Sequence, residues 1–499
     1  MSDKPWWKSV HPAVPELTEQ FRKGRIDRRE FLRTVTLLGV SATAAYALAG
    51  QRLVAPARAQ MAKQGGNLRV AMFVRAVDDP AQFNWSEMGN IARQFIEPLV
   101  QVGTDNVARP YLLEGWQPSE DLKTWTLKLR KGITWSNGDE FNADDVIFNI
   151  ERWLDPATGS SNQARLSAMT HTIETKDDQG NTVQSTVPNE GAVERVDDHT
   201  VVLHLGRPEL AIPESFGDYP ALIVNRRFSD EGGVLSKNPV GTGPFELVEY
   251  AVNERATVRR REGTHWTGEV FLDSITYIDV GGDPSAELAA FASGQIDINY
   301  QTGVEQIPAM RQIPGLVVHE AVTGQTAVAR MRTIEEPWGN KKLRQAIQAT
   351  IDHARVLEVA YSNFGVPGED HHVSPVHPEY AKLPPLVQDY DKAKRLLAEA
   401  GFADGFEHEF VCINVPWELN SCQAIVEMAR PAGINLKLNV LPGDTYWDRW
   451  DKWPFSFTSW THRVLGTQVL NLAYRTGGVW NEAAYSNPEY DRLLDEASG

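Results

Sequence analysis

The sequence predicts an α/β protein with two lobes. Its 499 residues exceed the roughly 250–300 residues at which a single hydrophobic core stops growing, so the chain is expected to divide. Hydrophobic residues make up 42% of the chain, which is enough for substantial cores, and the composition does not indicate wholesale disorder. Strand and helix patterns alternate along much of the chain, as is typical of α/β architecture.

A hairpin and a helix are predicted between Trp116 and Arg152. The main strand of the hairpin has apolar residues at alternate positions, the period of a half-buried strand. These residues are Trp125, Leu127 and Leu129. Asn137 and the glycine after it predict a tight turn. Asn142 is placed to cap the following helix, and Asp145 falls in the first turn, where the helix dipole favours a carboxylate.

Three later stretches have equally distinctive patterns. They are NPVGTGPFEL at 238–247, a strand–helix–strand unit at 265–299 that ends near SGQIDI, and NKKLRQAIQATIDHARVL at 340–357. In the second stretch, Asp283 and the proline after it predict a capped helix start. In the third, Asp352 is expected to cap a helix over 353–361.

Together with TWTLKLRKGITWSNGDEFNADDVIFNIER at 124–152, these stretches resemble the family 5 solute-binding proteins of ABC importers, a group that includes dipeptide, oligopeptide and nickel-complex binders. The resemblance covers nearly all of residues 66–499. It implies a periplasmic binding protein fold of type II, cluster C-like, with a large composite lobe and a smaller lobe joined by a hinge. Hinge closure would trap the ligand between the lobes.

The resemblance also implies where the parts of the chain begin and end. We expect a large lobe over residues 60–305, with an inserted subdomain near 101–200, and a second lobe over 306–475. Residues 476–499 would begin a C-terminal return segment that ends early, either naturally or by truncation. The implied partners are a peptide or small-molecule ligand and the permease subunits of an ABC importer in the inner membrane. A monomer without a cofactor is expected.

The first 59 residues differ from the rest of the chain. Arg28 and Arg29 precede a moderately apolar run over 34–50, and the small-x-small site Ala57-Arg58-Ala59 follows. This pattern resembles a twin-arginine export signal that is cleaved after Ala59. A membrane anchor is the alternative, but the run is short and weakly apolar for a span that needs about 20 apolar residues. No cysteine follows the run closely to accept a lipid, so a periplasmic protein without a lipid anchor is expected.

The charge and the motifs exclude several other classes of function. The formal net charge is −17, and basic residues do not cluster with aromatic ones, so nucleic acid is not an expected partner. The chain contains neither a Gly-x-Ser-x-Gly elbow nor a His-Glu-x-x-His helix, so we expect a binding protein rather than an enzyme. A periplasmic hydrolase, or a receptor or chaperone of the same fold without a transport role, are the alternatives.

The cysteines and one histidine cluster leave further questions open. Cys412 and Cys422 either form a disulfide, which an oxidising periplasm permits, or remain two buried thiols. His371, His372 and His377 are close enough in sequence to hold a metal. They lie in a Pro-rich loop that resembles a structural loop of the family, so no metal site is expected.

The expected ligand loop is 455–466, again because of the resemblance. In the peptide binders this loop carries an Asp three residues after a Trp, and that Asp pairs with the α-amino group of the peptide. Here Trp460 is present, but the third residue after it is Arg463. An Arg fork suits a carboxylate or phosphate. One hypothesis is therefore a ligand that presents an anionic group to Arg463, and the other is that Arg463 pairs with a protein carboxylate or points to water.

The remaining candidate ligand residues are chosen by their position alone. They are Phe83, Asn84, Trp85, Asn414, Trp417 and His462. For Phe83 and Trp85, ordinary packing is the competing interpretation. The sequence does not identify the ligand. A peptide is expected from the weight of the family, and opine-like, sugar-acid and metal-chelate ligands remain open.

Overall fold

The computed structural model describes residues 11–50, 63–176, 182–377 and 379–498. The helices are α1 (Val14–Arg22), α2 (Arg28–Leu37), α3 (Ala42–Leu48), α4 (Ser86–Ala92), α5 (Ala143–Leu154), α6 (Asn162–Arg165), α7 (Ile212–Ser215), α8 (Pro284–Ala292), α9 (Ile307–Met310), α10 (Lys341–Gln348), α11 (His353–Tyr361), α12 (Tyr390–Glu399), α13 (Pro416–Ala429), α14 (Gly443–Trp447), α15 (Gly466–Tyr474) and α16 (Pro488–Ser498).

The strands are β1 (Asn67–Ala71), β2 (Val100–Val102), β3 (Ala108–Pro110), β4 (Leu113–Pro118), β5 (Thr124–Leu129), β6 (Thr170–Lys176), β7 (Thr182–Pro188), β8 (Val193–Asp197), β9 (Thr200–His204), β10 (Phe245–Ala251), β11 (Arg255–Arg260), β12 (Ser274–Ile278), β13 (Ile298–Asn299), β14 (Thr326–Met331), β15 (Phe406–Ile413), β16 (Ile434–Leu441) and β17 (Phe455–Trp460).

The chain forms two compact units. Unit 1 contains the described residues up to Gly281, together with Gly294–Tyr300 and the residues from Asp495 onward. Unit 2 contains Gly282–Ser293 and Gln301–Leu494. The predicted lobe limits, including the boundary between residues 305 and 306, stay predictions, because compactness does not by itself define a lobe that moves.

Besides the two-stranded sheets β2-β3 and β6-β7, unit 1 contains two larger sheets. One has the strand order β10-β11-β12-β1-β13, in which β1 runs parallel to β12 and β13 and the other neighbours are antiparallel. The other is the antiparallel sheet β4-β5-β9-β8. Alternate residues of β5 are buried in the core beneath the second sheet, as the alternation predicts. They are Trp125, Leu127 and Leu129.

The start of α5 is held by a buried carboxylate. Asn142 caps the helix as predicted, and with Asp145 it forms a capping box in which the Asp145 side chain accepts a hydrogen bond from the Asn142 amide at 3.1 Å. The same carboxylate accepts from Trp135 Nε1 at 3.0 Å and from both the amide and Nη1 of Arg226, at 3.1 and 3.0 Å. Asp145 is fully buried. One side chain therefore ties the helix start to the hairpin before it and to a loop about eighty residues away in sequence.

Helices α1–α3 lie inside the predicted export signal and belong to unit 1. The apolar run over 34–50 is not one helix, because α2 ends at Leu37 and α3 begins at Ala42. Gly39, between them, has a φ of +86°, which glycine adopts without strain. Within the described ranges, none of the helices has the length and apolar character of a membrane span. The predicted cleavage point after Ala59 lies outside the described residues.

Unit 2 contains the sheet β14-β17-β15-β16. Strand β15 is parallel to β16 and β17, whereas β14 is antiparallel to β17. Helices cover this sheet and share one apolar core with it. The predicted caps are present in this unit, since Asp283 accepts from the Ser285 amide and Asp352 from the Arg355 amide. Cys412 and Cys422 are buried free thiols, so the disulfide alternative is not formed.

We predict that Asp145→Ala lowers the free energy of unfolding of the protein by about 3 kcal/mol, because it leaves the buried indole N–H of Trp135 and the half-buried donors of Arg226 without their acceptor. Urea unfolding followed by circular dichroism measures this loss.

The matched control is Asp144→Ala. Asp144 pairs with Arg195, and both side chains are more than 40% exposed, so this variant should cost less than about 1 kcal/mol. Equal losses for the two variants would show that the buried network does not anchor the helix.

Candidate functional site

Polar and aromatic side chains gather where the parallel strands of unit 2 end. Strands β15, β16 and β17 run in the same direction, so their carboxyl ends meet at one edge of the sheet. Ligands of open α/β sheets bind outside this edge. Asn414 follows β15 directly and is exposed, Trp417 lies in the first turn of α13 and is half-buried, and Trp460 ends β17. The structure thus brings three predicted ligand residues to one edge.

Trp460 is held in place by a buried ion pair. Its Nε1 donates to Glu482 Oε1 at 2.7 Å. The other oxygen of Glu482 accepts from Arg330 Nε at 2.7 Å and from Thr458 Oγ1 at 2.8 Å. Trp460, Glu482 and Arg330 are only 3–6% exposed. The indole N–H of Trp460 is therefore already bonded within the protein, and the ring itself is almost fully covered.

An aromatic cluster surrounds Trp460. The ring centroids of His372, Trp450 and Trp480 lie 5.1, 5.9 and 6.0 Å from the Trp460 ring, in inclined or edge-to-face arrangements that aromatic rings favour. Sequence reasoning did not select Trp450, Trp480, Glu482 or Arg330. The abundance of tryptophan near the C-terminal end of the chain was the available signal for the first two.

Arg463 lies inside unit 2, at 3% exposure. Its Nη1 donates to Thr461 Oγ1 at 2.7 Å and to the His462 carbonyl at 2.9 Å, and its guanidinium carbon lies 5.6 Å from the centre of the Trp480 ring. The expectation that it points to water is therefore wrong. Its predicted role in holding an anionic ligand group stays a prediction.

The loop that carries Arg463 is fixed by two histidines. His462 Nδ1 accepts from the Gly324 amide at 2.8 Å. His377 Nε2 donates to the Arg463 carbonyl at 3.0 Å, and its Nδ1 accepts from the Ser374 amide at 2.9 Å. A Cβ on Gly324 would lie 2.7 Å from His377 Nε2, so only glycine permits this approach. These two imidazoles position the loop by hydrogen bonds.

The other members of the predicted histidine cluster show no metal geometry. Burial lowers the pKa of His372 to about 3, so this imidazole is neutral near pH 7. Within the described part of the chain, no three His, Cys, Asp or Glu side chains are grouped so that they could hold a metal ion.

Glu418 is an unexpected residue at the same edge. It lies in the first turn of α13 at 5% exposure, and one of its oxygens accepts from Ser459 Oγ at 3.1 Å. The other oxygen, Oε2, has no hydrogen-bond partner among the described residues. Burial raises the pKa of Glu418 to about 8, so its carboxyl group is mostly protonated at pH 7. No sequence signal distinguished it from an ordinary first-turn glutamate.

The candidate residues of unit 1 differ in accessibility. Phe83 is 2% exposed and packs in the interior, as the packing interpretation expects. Asn84 is exposed, and Trp85 is half-buried. The Arg75 guanidinium lies 5.0 Å from the centre of the Trp85 ring. Asn84 and Trp85 therefore keep solvent-accessible surface, whereas Phe83 is enclosed, and their predicted ligand contacts stay predictions.

A family model described as bacterial extracellular solute-binding proteins, family 5 Middle, matches residues 108–480. The periplasmic oligopeptide-binding protein OppA of Haemophilus influenzae is 26% identical over 442 residues, which cover 84% of this chain and 80% of that protein. Heme-binding protein A of the same species is 28% identical over 431 residues, which cover 78% of this chain and 73% of that protein.

Solved structures share the fold. The H. influenzae OppA complex with RPPGFSPFR has a TM-score of 0.76 at 23% identity and covers 88% of both chains. The PBP AgaA of A. tumefaciens R10 in complex with agropinic acid has a TM-score of 0.75 at 22% identity, with 87% of this chain and 86% of that chain covered. The predicted two-lobed α/β fold of the periplasmic binding protein type is confirmed by these likenesses.

Glu418 makes stability depend on pH in a defined direction. Its pKa is about 8 in the folded protein against a usual value of 4.5, so the folded state holds the proton more tightly than the unfolded chain. The stabilisation that this proton provides is lost as the pH rises from 4.5 towards 8. His372 makes the protein less stable as the pH falls below 6.5, the usual pKa of histidine, because its own pKa is lowered in the folded state. The effect of Glu418 is therefore best measured between pH 7 and 8, where His372 is mostly neutral in both states.

We predict that the wild-type protein loses up to about 1.4 kcal/mol of unfolding free energy per pH unit in this window through Glu418, and that Glu418→Gln loses much less. Urea unfolding at pH 7.0, 7.5 and 8.0 measures the slopes. The control Glu427→Gln alters an exposed glutamate of the same helix and should keep the wild-type slope. A wild-type slope in Glu418→Gln would show that the carboxyl group is ionised throughout.

Proposed function

Because the chain belongs to the bacterial extracellular solute-binding proteins of family 5, we propose that it captures a peptide or peptide-like small molecule and delivers it to the permease of an ABC importer. The observation that carries this proposal is the family match over residues 108–480. The relatives named above are binding proteins, and the sequence motifs of hydrolases are missing. A hydrolytic function therefore receives no support, and the chain acts by binding alone.

The binding edge of unit 2 suggests the chemistry of the ligand. The half-buried ring of Trp450, in the aromatic cluster around Trp460, supplies flat apolar surface, which suits a side chain or ring of the ligand. Arg463 stands at the position where the resembled peptide binders carry an acidic residue, so the α-amino contact at that position is replaced. A ligand with a carboxylate or a similar anionic group fits this change best.

The remaining binding residues follow from their exposure. Asn414, Trp417 and His462 contribute at the edge of unit 2, and Asn84 and Trp85 are the candidate contacts of unit 1. Phe83 supports Asn84 and Trp85 from the interior. The protein works as a monomer without a cofactor, and it acts in the periplasm without a lipid anchor. Its export depends on Arg28 and Arg29, with cleavage after Ala59.

Ligand recognition is tested by thermal unfolding with a panel of peptides, acidic opine-like compounds, sugar acids and nickel chelates. A ligand at 100 times its dissociation constant adds about 2.7 kcal/mol of stability, which raises the melting temperature visibly. We expect the largest shift from ligands with a free carboxylate and a smaller one from their amides. Arg463→Ala should weaken binding of the carboxylate form by at least about tenfold.

The matched control is Arg449→Ala, which removes an exposed arginine from the same unit and should leave the affinity unchanged. Equal shifts from a carboxylate ligand and its amide, retained in Arg463→Ala, would refute the anionic contact but not the binding function. No shift with any compound of the panel would count against the proposed ligand class.

The export signal is tested by the double variant Arg28→Lys/Arg29→Lys. We expect the precursor to accumulate in the cytoplasm and the periplasmic fraction to fall by about tenfold or more, because the twin-arginine signal is read as a receptor address. Cell fractionation with immunoblotting measures both pools. Arg22→Lys/Arg25→Lys changes two other arginines of the same segment without touching the pair. Normal export of Arg28→Lys/Arg29→Lys would refute the proposed twin-arginine signal.

A further inference from the structure

We propose that unit 1 contains a binding groove for the chain's own segment Arg28–Leu38, and that this groove restrains the segment once the unit has folded. The docked segment comprises helix α2 and the residue that follows it. The inference uses contacts inside unit 1 only. It does not depend on which solute the protein binds, and only its consequence for export rests on the proposed twin-arginine signal.

A buried ion pair forms the centre of the docking. Arg33 Nε donates to Glu214 Oε1 at 2.9 Å, and Arg33 Nη2 donates to Glu214 Oε2 at 3.4 Å. The side chains of Arg33 and Glu214 are 2% and 0% exposed. Two charges removed from water to this extent are stable only when they are paired in good geometry. Glu214 is far from Arg33 in sequence, so the pair can form only after this part of unit 1 has folded.

Apolar side chains on more than one face of α2 are buried as well. Four apolar side chains of α2 and the one directly after it are at most 5% exposed. They are Phe31, Leu32, Val35, Leu37 and Leu38. They pack with Val107 and with residues of α1 and α3, and Leu37 joins the main core of unit 1. Burial of these large apolar side chains favours the packed state of the segment.

Two backbone features fit the groove as well. Trp116 Nε1 donates to the Leu37 carbonyl at 2.9 Å, which satisfies a carbonyl at the end of α2. A Cβ on Gly39 would lie 2.9 Å from the Trp116 carbonyl oxygen. Glycine is therefore needed at this point for the chain to pass Trp116. A segment that only had to be apolar would show neither the hydrogen bond nor the close approach.

The docked state separates two parts of the export motif. Arg28 and Arg29 are exposed at the start of α2, whereas Phe31 and Leu32, which follow them, are buried. An apolar run is what an export receptor or a signal peptidase needs to reach in a signal segment. Docking therefore leaves the two arginines accessible and covers the apolar side chains from Phe31 to Leu38, whereas most of residues 41–50 stay exposed or half-buried.

Amide hydrogen exchange of the full-length chain tests this proposal. We expect the amides of α2 to be protected in the wild-type protein, and both Glu214→Gln and Arg33→Ala to raise their exchange by at least about tenfold, because either change breaks the buried pair. The double variant Arg33→Ala/Glu214→Gln should exceed the larger single effect only slightly, since the two residues act together.

Matched controls separate docking from general unfolding. Arg29→Ala removes the same charge from an exposed position of the same helix, and Glu194→Gln alters an exposed glutamate of unit 1, so both should keep the wild-type exchange of α2. Protection of α5 should be unchanged in every variant. Unprotected α2 amides in the wild-type protein, or full protection in Glu214→Gln and Arg33→Ala, would overturn the proposal. Neither outcome would bear on the solute-binding proposal, which is measured by ligand-dependent melting.

Discussion

Glu482 is the constraint on which the candidate site of unit 2 depends. Its carboxylate joins Arg330 of β14, Thr458 and Trp460 of β17, and its own segment beyond α15. A buried carboxylate is costly unless its lone pairs are satisfied, so these segments are held in one register with each other. The ring of Trp460 therefore keeps a fixed orientation before any ligand arrives, which reduces the entropy lost on binding.

The same solution recurs elsewhere in the molecule. Asp145 and Glu482 are each buried, and each accepts from a tryptophan indole and an arginine. Glu214 is paired with Arg33 in a similar way. Glu418 is the contrasting case, because its buried carboxyl group accepts from Ser459 and its pKa rises to about 8. The buried acids that pair with an arginine therefore connect distant segments. Glu418, whose hydrogen-bond partner is a serine, instead stays mostly protonated at pH 7.

Local patterns predicted the local structure well, and distant pairings were beyond them. The alternation in β5 and the cap at Asn142 involve residues that are neighbours in sequence, so spacing and residue type were sufficient. The family resemblance supplied the two-lobed fold and the place of Trp460. The pairs Arg330–Glu482 and Arg33–Glu214 join residues 152 and 181 positions apart. An arginine that will be buried cannot be distinguished in a single sequence from one that stays in water.

Arg463 shows a second limit of sequence reasoning. Its charge indicated contact with an anionic ligand group, a pair with a protein carboxylate or an exposed position, and the side chain is buried and bonded to its own loop. The short range of these bonds allowed them to be predicted in principle. The burial came instead from the aromatic cluster, whose members Trp450 and Trp480 are brought together only by the fold.

The reactivity of the two buried thiols depends on how often unit 2 opens locally. Cys412 and Cys422 are both fully shielded from solvent in the folded unit, and a thiol reacts with an oxidant or an alkylating reagent only when its sulfur can be reached as thiolate. Chemical modification must therefore wait for an opening of the structure around β15 and α13. In an oxidising compartment, the lifetime of these thiols is set by the rate of that opening rather than by the redox potential around the protein.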